Sequence, residues 1–260
     1  MRIMVLGCGP AGLLSAHAAE TKGHDVTVVS ERPQPSRLGG AQYLHCAVPG
    51  VTAPDPETEI AVIRRGGRSG YAFKVYGDAF ADVSWDRYAD MEFVPGWNLI
   101  EAYRRLWSAW SMRVQQKKVT RDNLRGLAHG YDMVVSTIPK KILCQRPIHK
   151  FRNREVWAAA VSQDLPETEG VENFIVYSGL HADWFYRTSH LFGTSMTEWS
   201  TVAFPAFSGA PHDDAFIIQK PLSNNCDCVT DERFVFAGRY GRWDKGQLVS
   251  DVWDQVNAVL

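Results

Sequence analysis

Gly7-Cys8-Gly9-Pro10-Ala11-Gly12 constrains this chain more than any other stretch, because three glycines at fixed spacing stand between a strand pattern and a helix pattern. Arg2–Leu6 (RIMVL) reads as a short strand buried on both faces, as strands of parallel sheets are. Ala11–Thr21, rich in Ala and Leu, suits a helix, and Gly23 closes it because a residue without Cβ enters the left-handed cap cheaply. Asp25–Ser30 (DVTVVS) reads as a second buried strand. Strand, glycine turn, helix and strand make a βαβ unit with a right-handed crossover. In such a unit Gly7 makes the tight turn, Gly9 lets the backbone approach a pyrophosphate, and Gly12 lets helix and strand pack closely. The N-terminus of this helix offers unpaired N–H groups and partial positive charge to phosphates.

The unit predicts a dinucleotide site, and its ribose acid is expected about 20 residues past the glycines. Glu31 is near that position, while Ser30 occupies the place counted from Val26. Ser30, Glu31 and Arg32 would alternatively surround a 2′-phosphate, which favours NADP.

Beyond this unit, Glu31–Pro56 is rich in Pro and Gly and reads as loop. Ile60–Ile63 and Tyr71–Tyr76 read as strands of a hairpin turning at Gly66-Gly67-Arg68-Ser69-Gly70. Trp97–Trp110 places Leu99, Tyr103, Leu106 and Trp110 at helical spacing. Asp132–Ile138 returns to a buried-strand pattern ended by Pro139. Val156–Phe207, full of Val, Phe, Tyr, Trp and Thr, reads as an antiparallel sheet. Phe234–Ala237 is a last apolar strand, followed by a short loop and a helix over Gln247–Leu260.

Charge is balanced, with 28 Lys plus Arg against 29 Asp plus Glu, so no global field draws the chain to nucleic acid or anionic membrane. The five cysteines are odd in number and the first three lie far apart, which argues against a disulfide framework and for a reducing cytoplasm. Glycines interrupt the apolar N-terminus, and no run of about 18 apolar residues is present, so neither a secretion signal nor a membrane span is expected. Cys226-Asp227-Cys228, with His212, Asp213 and Asp214 nearby in sequence, lacks the usual C-x-x-C spacing of metal sites and is read as a polar loop, with no metal. Lys140, Lys141, Arg146, Lys150, Arg152 and Arg154 cluster around His149 and Phe151, either as solvated surface or as a phosphate or nucleic-acid contact.

Three ordered segments resemble the amine oxidase and UDP-galactopyranose mutase superfamily of FAD-binding flavoproteins: the glycine turn with Arg37-Leu38-Gly39-Gly40, the strand Asp132–Pro139, and Phe234–Gly241 with its Gly238-Arg239. Gly40–His45 and Tyr186–Ser189 add a weaker similarity to short bacteriophage flavoproteins. The resemblance implies an α/β fold, a Rossmann-like FAD-binding domain of glutathione-reductase type carrying an inserted, reduced antiparallel substrate domain. It divides the chain into an FAD domain over 1–56, 112–145 and 230–260 and a substrate-binding region over 57–111 and 146–229. It implies FAD held by Gly7, Gly9, Pro10, Ala11, Gly12, Ser30, Glu31, Arg32, Arg37, Gly39, Gly40, Gly238, Arg239 and Leu248. It places Arg239 at the pyrophosphate and points the start of the last helix at the flavin, where reduced flavin carries negative charge.

His45 would then lie near the isoalloxazine, and Tyr186 and Arg187 would orient a substrate carboxylate or phosphate, giving three candidate catalytic residues. The alternative for Trp184-Phe185-Tyr186-Arg187 is core aromatics with Arg187 in solvent, and Glu198 and Trp199 would be lining or packing. Lys74 and Lys245 are the lysines available as flavin neighbours. The implied activity is oxidation of a C–N bond in an amine-type substrate with hydrolysis of the imine, a lyase-like outcome. A phage member would perform this on a modified DNA base in the host cytoplasm. The competing readings are a mutase-like, non-redox use of flavin on a nucleotide sugar and a non-catalytic dinucleotide-binding module. Expected partners are a small-molecule or nucleotide-linked substrate, with nucleic acid as a weaker expectation.

Overall fold

A computed structural model describes residues 1–31, 38, 42–83, 91–200, 214–229 and 231–260. β1 (Arg2–Leu6) runs parallel to β2 (Asp25–Ser30) in a register that pairs Ile3 with Val26 and Val5 with Val28. The turn after β1 needs Gly7, whose φ of +101° no side chain adopts comfortably, and α1 (Pro10–Thr21) follows as expected. The alanines and leucines of α1 bury its inner face, with Leu13, Ala16, Ala18 and Ala19 all at 0% exposure.

β6 (Val114–Gln116), β7 (Met133–Ser136) and β13 (Phe234–Phe236) complete a five-stranded sheet in the order β13-β7-β1-β2-β6, every pairing parallel. One face is covered by α1, α3 (Leu99–Trp110) and α6 (Asp251–Asn257), which enclose Ile3, Val5, Leu13, Leu106, Trp110 and Val252. The other face is covered by α4 (Arg121–Ala128), whose Leu124 and Ala128 pack on Met4, Leu6, Val29 and Val134. Cover on both faces is what buries the near-continuous apolar runs of these strands.

The second sheet has eight strands in the order β12-β8-β11-β10-β9-β4-β5-β3. These are β3 (Tyr43–Leu44), β4 (Thr58–Arg65), β5 (Met91–Asn98), β8 (Phe151–Ala159), β9 (Phe174–Ser178), β10 (Arg187–Leu191), β11 (Thr194–Trp199) and β12 (Phe216–Asn224). All pairings are antiparallel except β4 with β9.

Three expectations are corrected. Tyr71–Tyr76 is not a hairpin strand but part of α2 (Arg68–Tyr76), ended by Gly77 at φ +72°. Its aromatic and β-branched residues suit a strand locally, but at helical spacing Tyr71, Ala72 and Val75 pack on Val156 and Tyr186 of the large sheet, and that packing decides. The partner of β4 is instead β5, which takes Trp97 from the expected helix, so α3 starts at Leu99 behind an Asn98 cap. Asn98 accepts hydrogen bonds from the Ile100 and Glu101 N–H groups at 3.0 and 3.1 Å. Finally, the expected loop after β13 is the short helix α5 (Gly238–Arg242), and the last helix spans only Asp251–Asn257. Among the described residues no helix is long and apolar enough to cross a membrane.

Candidate active site

The glycine turn forms a cradle at the start of α1. Gly9 is the N-cap, no side chain caps it, and the first turn of α1 carries no acid. Among the described residues a Cβ at Gly9 would meet nothing within 4 Å, whereas one at Gly12 would lie 2.0 Å from the Gly7 carbonyl oxygen. Gly12 is therefore closed by packing, while no described residue stands over Gly9. Gly238, at φ +69°, abuts the same helix start, since its Cβ would stand 2.9 Å from that of Ala11. An uncapped helix start with no described residue over Gly9 and no acid in its first turn fits a diphosphate.

At the end of β2 the buried Ser30 accepts a hydrogen bond from the Cys8 thiol at 3.3 Å. Glu31 extends one residue past the strand, exposed, with Lys118 3.9 Å away. Arg32, Arg37, Gly39 and Gly40 lie outside the described residues. Arg239 donates from Nε to the Gln247 carbonyl at 3.3 Å. The Leu248 N–H is taken by the Asp251 carboxylate at 2.8 Å, and Asp251 and Asp254 occupy the first turn of α6. The start of this last helix is thus filled by its own acids and does not offer the positive end expected of it.

The large sheet buries a charge network. Arg187 and Glu198 are direct cross-strand partners of β10 and β11, and Tyr186 immediately precedes β10. The carboxylate of Glu198, at 0% exposure, pairs with the Arg187 guanidinium at 2.7 Å and the Lys220 ammonium at 2.5 Å. It also accepts a 2.6 Å hydrogen bond from the Tyr186 hydroxyl, to which Lys220 donates at 3.0 Å. Burial opposes the Glu198 charge, but Arg187 and Lys220, with hydrogen bonds from Lys220 and Tyr186, hold its pKa at about 2. Lys220 responds oppositely: burial and then the Arg187 charge, against the pull of Glu198, lower it to about 7. Burial also pushes the Tyr186 hydroxyl well up, reinforced by Glu198. Arg187 is therefore neither in solvent nor free to meet a substrate with its whole charge.

The charge of Arg239 is felt by both Lys220 and Lys245, and that of Arg187 by Lys245, whose pKa burial lowers to about 8. Lys245 contacts the Tyr76 hydroxyl and lies over that ring. Tyr43 feels the Arg187 charge, its ring lies 4.2 Å from that of His45 at a 43° tilt, and His45 in turn feels Asp251. Arg154, the cross-strand partner of Lys220, adds a further cation and donates to Ser200 at 2.9 Å. Arg187 and Lys220 flank the buried Glu198 carboxylate, Arg154 pairs across the strands with Lys220, and the charge of Arg239 reaches Lys220 and Lys245, so among the described residues of this network cations outnumber carboxylates.

Of the two lysines considered as flavin neighbours, Lys74 is removed from that role. Its ammonium is enclosed by the carbonyls of Leu180, Asp183 and Phe185 at 2.5, 2.7 and 2.9 Å, which fix the loop before Tyr186. Lys220 was missed by the sequence reading. Its signal is the alternation Phe216, Ile218, Lys220, in which a lysine takes an inward position of β12.

The basic cluster is dispersed. Lys141 bonds Gln219 at 3.0 Å, Lys140 and Lys141 lie over the rings of Phe236 and Trp243, and Arg154 turns inward. Cys226-Asp227-Cys228 is more than a polar loop, since it meets Cys144 and His149, while His212 and Asp213 lie outside the described residues.

No protein-family model matches the chain, and no curated protein matches it. Solved structures do. MibH, a tryptophan 5-halogenase, aligns at a TM-score of 0.58 and 13% identity over 99% of this chain and 65% of its own. A geranylgeranyl bacteriochlorophyll reductase-like protein from Thermoplasma acidophilum aligns at 0.54 and 11%, over 99% and 76%. The flavin-dependent brominase Bmp2 aligns at 0.51 and 12%, over 100% and 78%. At these identities the likeness establishes the fold alone: a five-stranded parallel sheet joined to an eight-stranded, mostly antiparallel sheet.

Proposed function

We propose that the chain is an FAD-dependent oxidoreductase acting on an anionic substrate that carries an amine. The observation that carries this reading is the cradle itself, where no described residue stands over Gly9 at an uncapped helix start and Gly238 closes in from β13. The N–H groups left free at the start of α1 bind the diphosphate, Ser30 and Glu31 hold the adenine ribose, and Arg239 neutralises phosphate charge. FAD, when bound, supplies a two-electron acceptor.

The protein's own contribution is charge placement and proton handling. The positive lining attracts a carboxylate or phosphate on the substrate. An amine must be neutral before its carbon can be oxidised. Lys220 Nζ, with a pKa of about 7, accepts that proton near neutral pH, with the Tyr186 hydroxyl 3.0 Å away as its hydrogen-bond partner. Oxidation gives an imine, and water cleaves it. Glu198 keeps Tyr186 and Lys220 in place rather than meeting substrate.

The test is anaerobic mixing of the FAD-loaded protein with anionic amines, following loss of flavin colour. Bleaching by such a substrate supports the reading. Bleaching only by a nicotinamide donor overturns the C–N chemistry and leaves an external oxygenase. Turnover of a nucleotide sugar only after prior reduction, with no net electron use, would replace it with the mutase reading.

A further inference from the structure

The side chains of Cys144, His149, Cys226 and Cys228 present Sγ, Nδ1, Sγ and Sγ within 4.8 Å of one another. Cys144 and Cys228 are 3.8 Å apart between sulfurs, and His149 Nδ1 stands 3.4 and 3.3 Å from them. A tetrahedral ion with Zn–S bonds of about 2.3 Å separates its sulfurs by about 3.8 Å and a sulfur from an imidazole nitrogen by about 3.6 Å. The cysteines are unpaired thiols, and a covalent bridge would need sulfurs about 2.05 Å apart. We propose that these four residues bind one structural zinc ion, a Cys3His site at the junction of the two sheets.

Three further observations support the assignment. His149 turns its other nitrogen, Nε2, to the Asp227 carboxylate at 3.4 Å, the outer partner that fixes a ligating imidazole. The Gln145 N–H donates to the Cys228 sulfur at 3.3 Å, which stabilises a thiolate without consuming its metal-binding face. The Lys150 N–H donates to the Asn225 side chain at 2.8 Å, so the two ligand segments are held in register by hydrogen bonds as well. Soft sulfur with one nitrogen in a closed four-ligand set selects zinc over calcium, magnesium or manganese. The four donors converge on one point, so the site holds one ion, not a cluster whose ligands must reach separate irons.

The topology gives the ion its work. Cys144 and His149 lie on the crossing from β7 to β8, and Cys226 and Cys228 on the return from β12 to β13. β7 and β13 are neighbours in the parallel sheet, and β8 and β12 are neighbours in the antiparallel sheet. The two crossings therefore run side by side, and zinc clips them at the neck of the inserted β8–β12 segment. Because the unfolded chain has no such site, zinc binding stabilises the fold directly.

The test is metal analysis of the whole protein purified from zinc-supplied cells without chelator, combined with alkylation and peptide mapping. The expected result is one zinc per chain, with Cys144, Cys226 and Cys228 protected until a strong chelator removes the ion. Asp227→Asn, at an exposed position, should keep the fold and weaken zinc affinity about 10- to 100-fold. Absence of zinc in the wild-type protein, together with no uptake by the reduced chain, overturns the proposal. Purification with Cys144 and Cys228 joined as a disulfide overturns it equally.

Discussion

The two sheets bury polar chemistry by opposite means. In the parallel layer the interior is apolar on both faces, and what faces the cradle is backbone: Gly7, Gly9, Gly12 and Gly238 act by lacking side chains. In the antiparallel sheet one face carries Tyr186, Arg187, Glu198 and Lys220 in mutual contact among aromatic and aliphatic neighbours. The first arrangement needs little from the rest of the chain, since a helix start and a turn suffice to receive phosphate. The second exists only once four strands are in register, and each charge is tolerable there because its partners are present. Substitutions should therefore fail differently in the two regions.

The largest effect is expected in the network. Glu198→Ala leaves Arg187 and Lys220 buried without their carboxylate and should cost about 3–5 kcal/mol, read as a shift in the chemical denaturation midpoint. A loss below about 1 kcal/mol would mean the network is solvated. Gly12→Ala should follow, because its new Cβ must displace the Gly7 carbonyl. We expect about 1–3 kcal/mol of destabilisation with loss of FAD binding in titrations of the apoprotein.

Gly9→Ala separates binding from folding: its Cβ meets no atom of the described residues, so stability should stay within about 0.5 kcal/mol. FAD affinity should nevertheless fall at least about tenfold, and unchanged affinity would move the diphosphate away from this turn. The smallest effect concerns pH. Lys220, depressed to about 7, releases in the folded state a proton that the unfolded chain keeps up to about 10.5, so its contribution to stability grows as pH rises between those values. In catalysis its free amine makes the rate of flavin reduction rise about twofold from pH 7 to 8, a limb that Lys220→Met should erase.

The same contrast explains what could be read from the chain. β1, the turn, α1 and β2 are local patterns whose period and glycines speak for themselves, and they fold where the sequence places them. Tyr71–Tyr76 has strand-like residues, yet its helical form is selected by packing on the large sheet. β12 was hidden by Pro221 and the polar run that follows it, and with it went Lys220. Arg187 and Glu198 were visible as residues but not as a pair, because their register depends on a hairpin turn at Phe192 and Gly193. Cys144 and Cys228 stand 84 positions apart, so only the juxtaposed crossings of the two sheets could bring them together.

The central claim is that the parallel layer holds FAD. An absorption spectrum of the freshly purified protein, repeated on the supernatant after heat denaturation, tests it most directly. The native protein should show flavin bands, and the supernatant should contain FAD, not FMN or a nicotinamide nucleotide. A colourless protein whose spectrum does not change when FAD is added would contradict it.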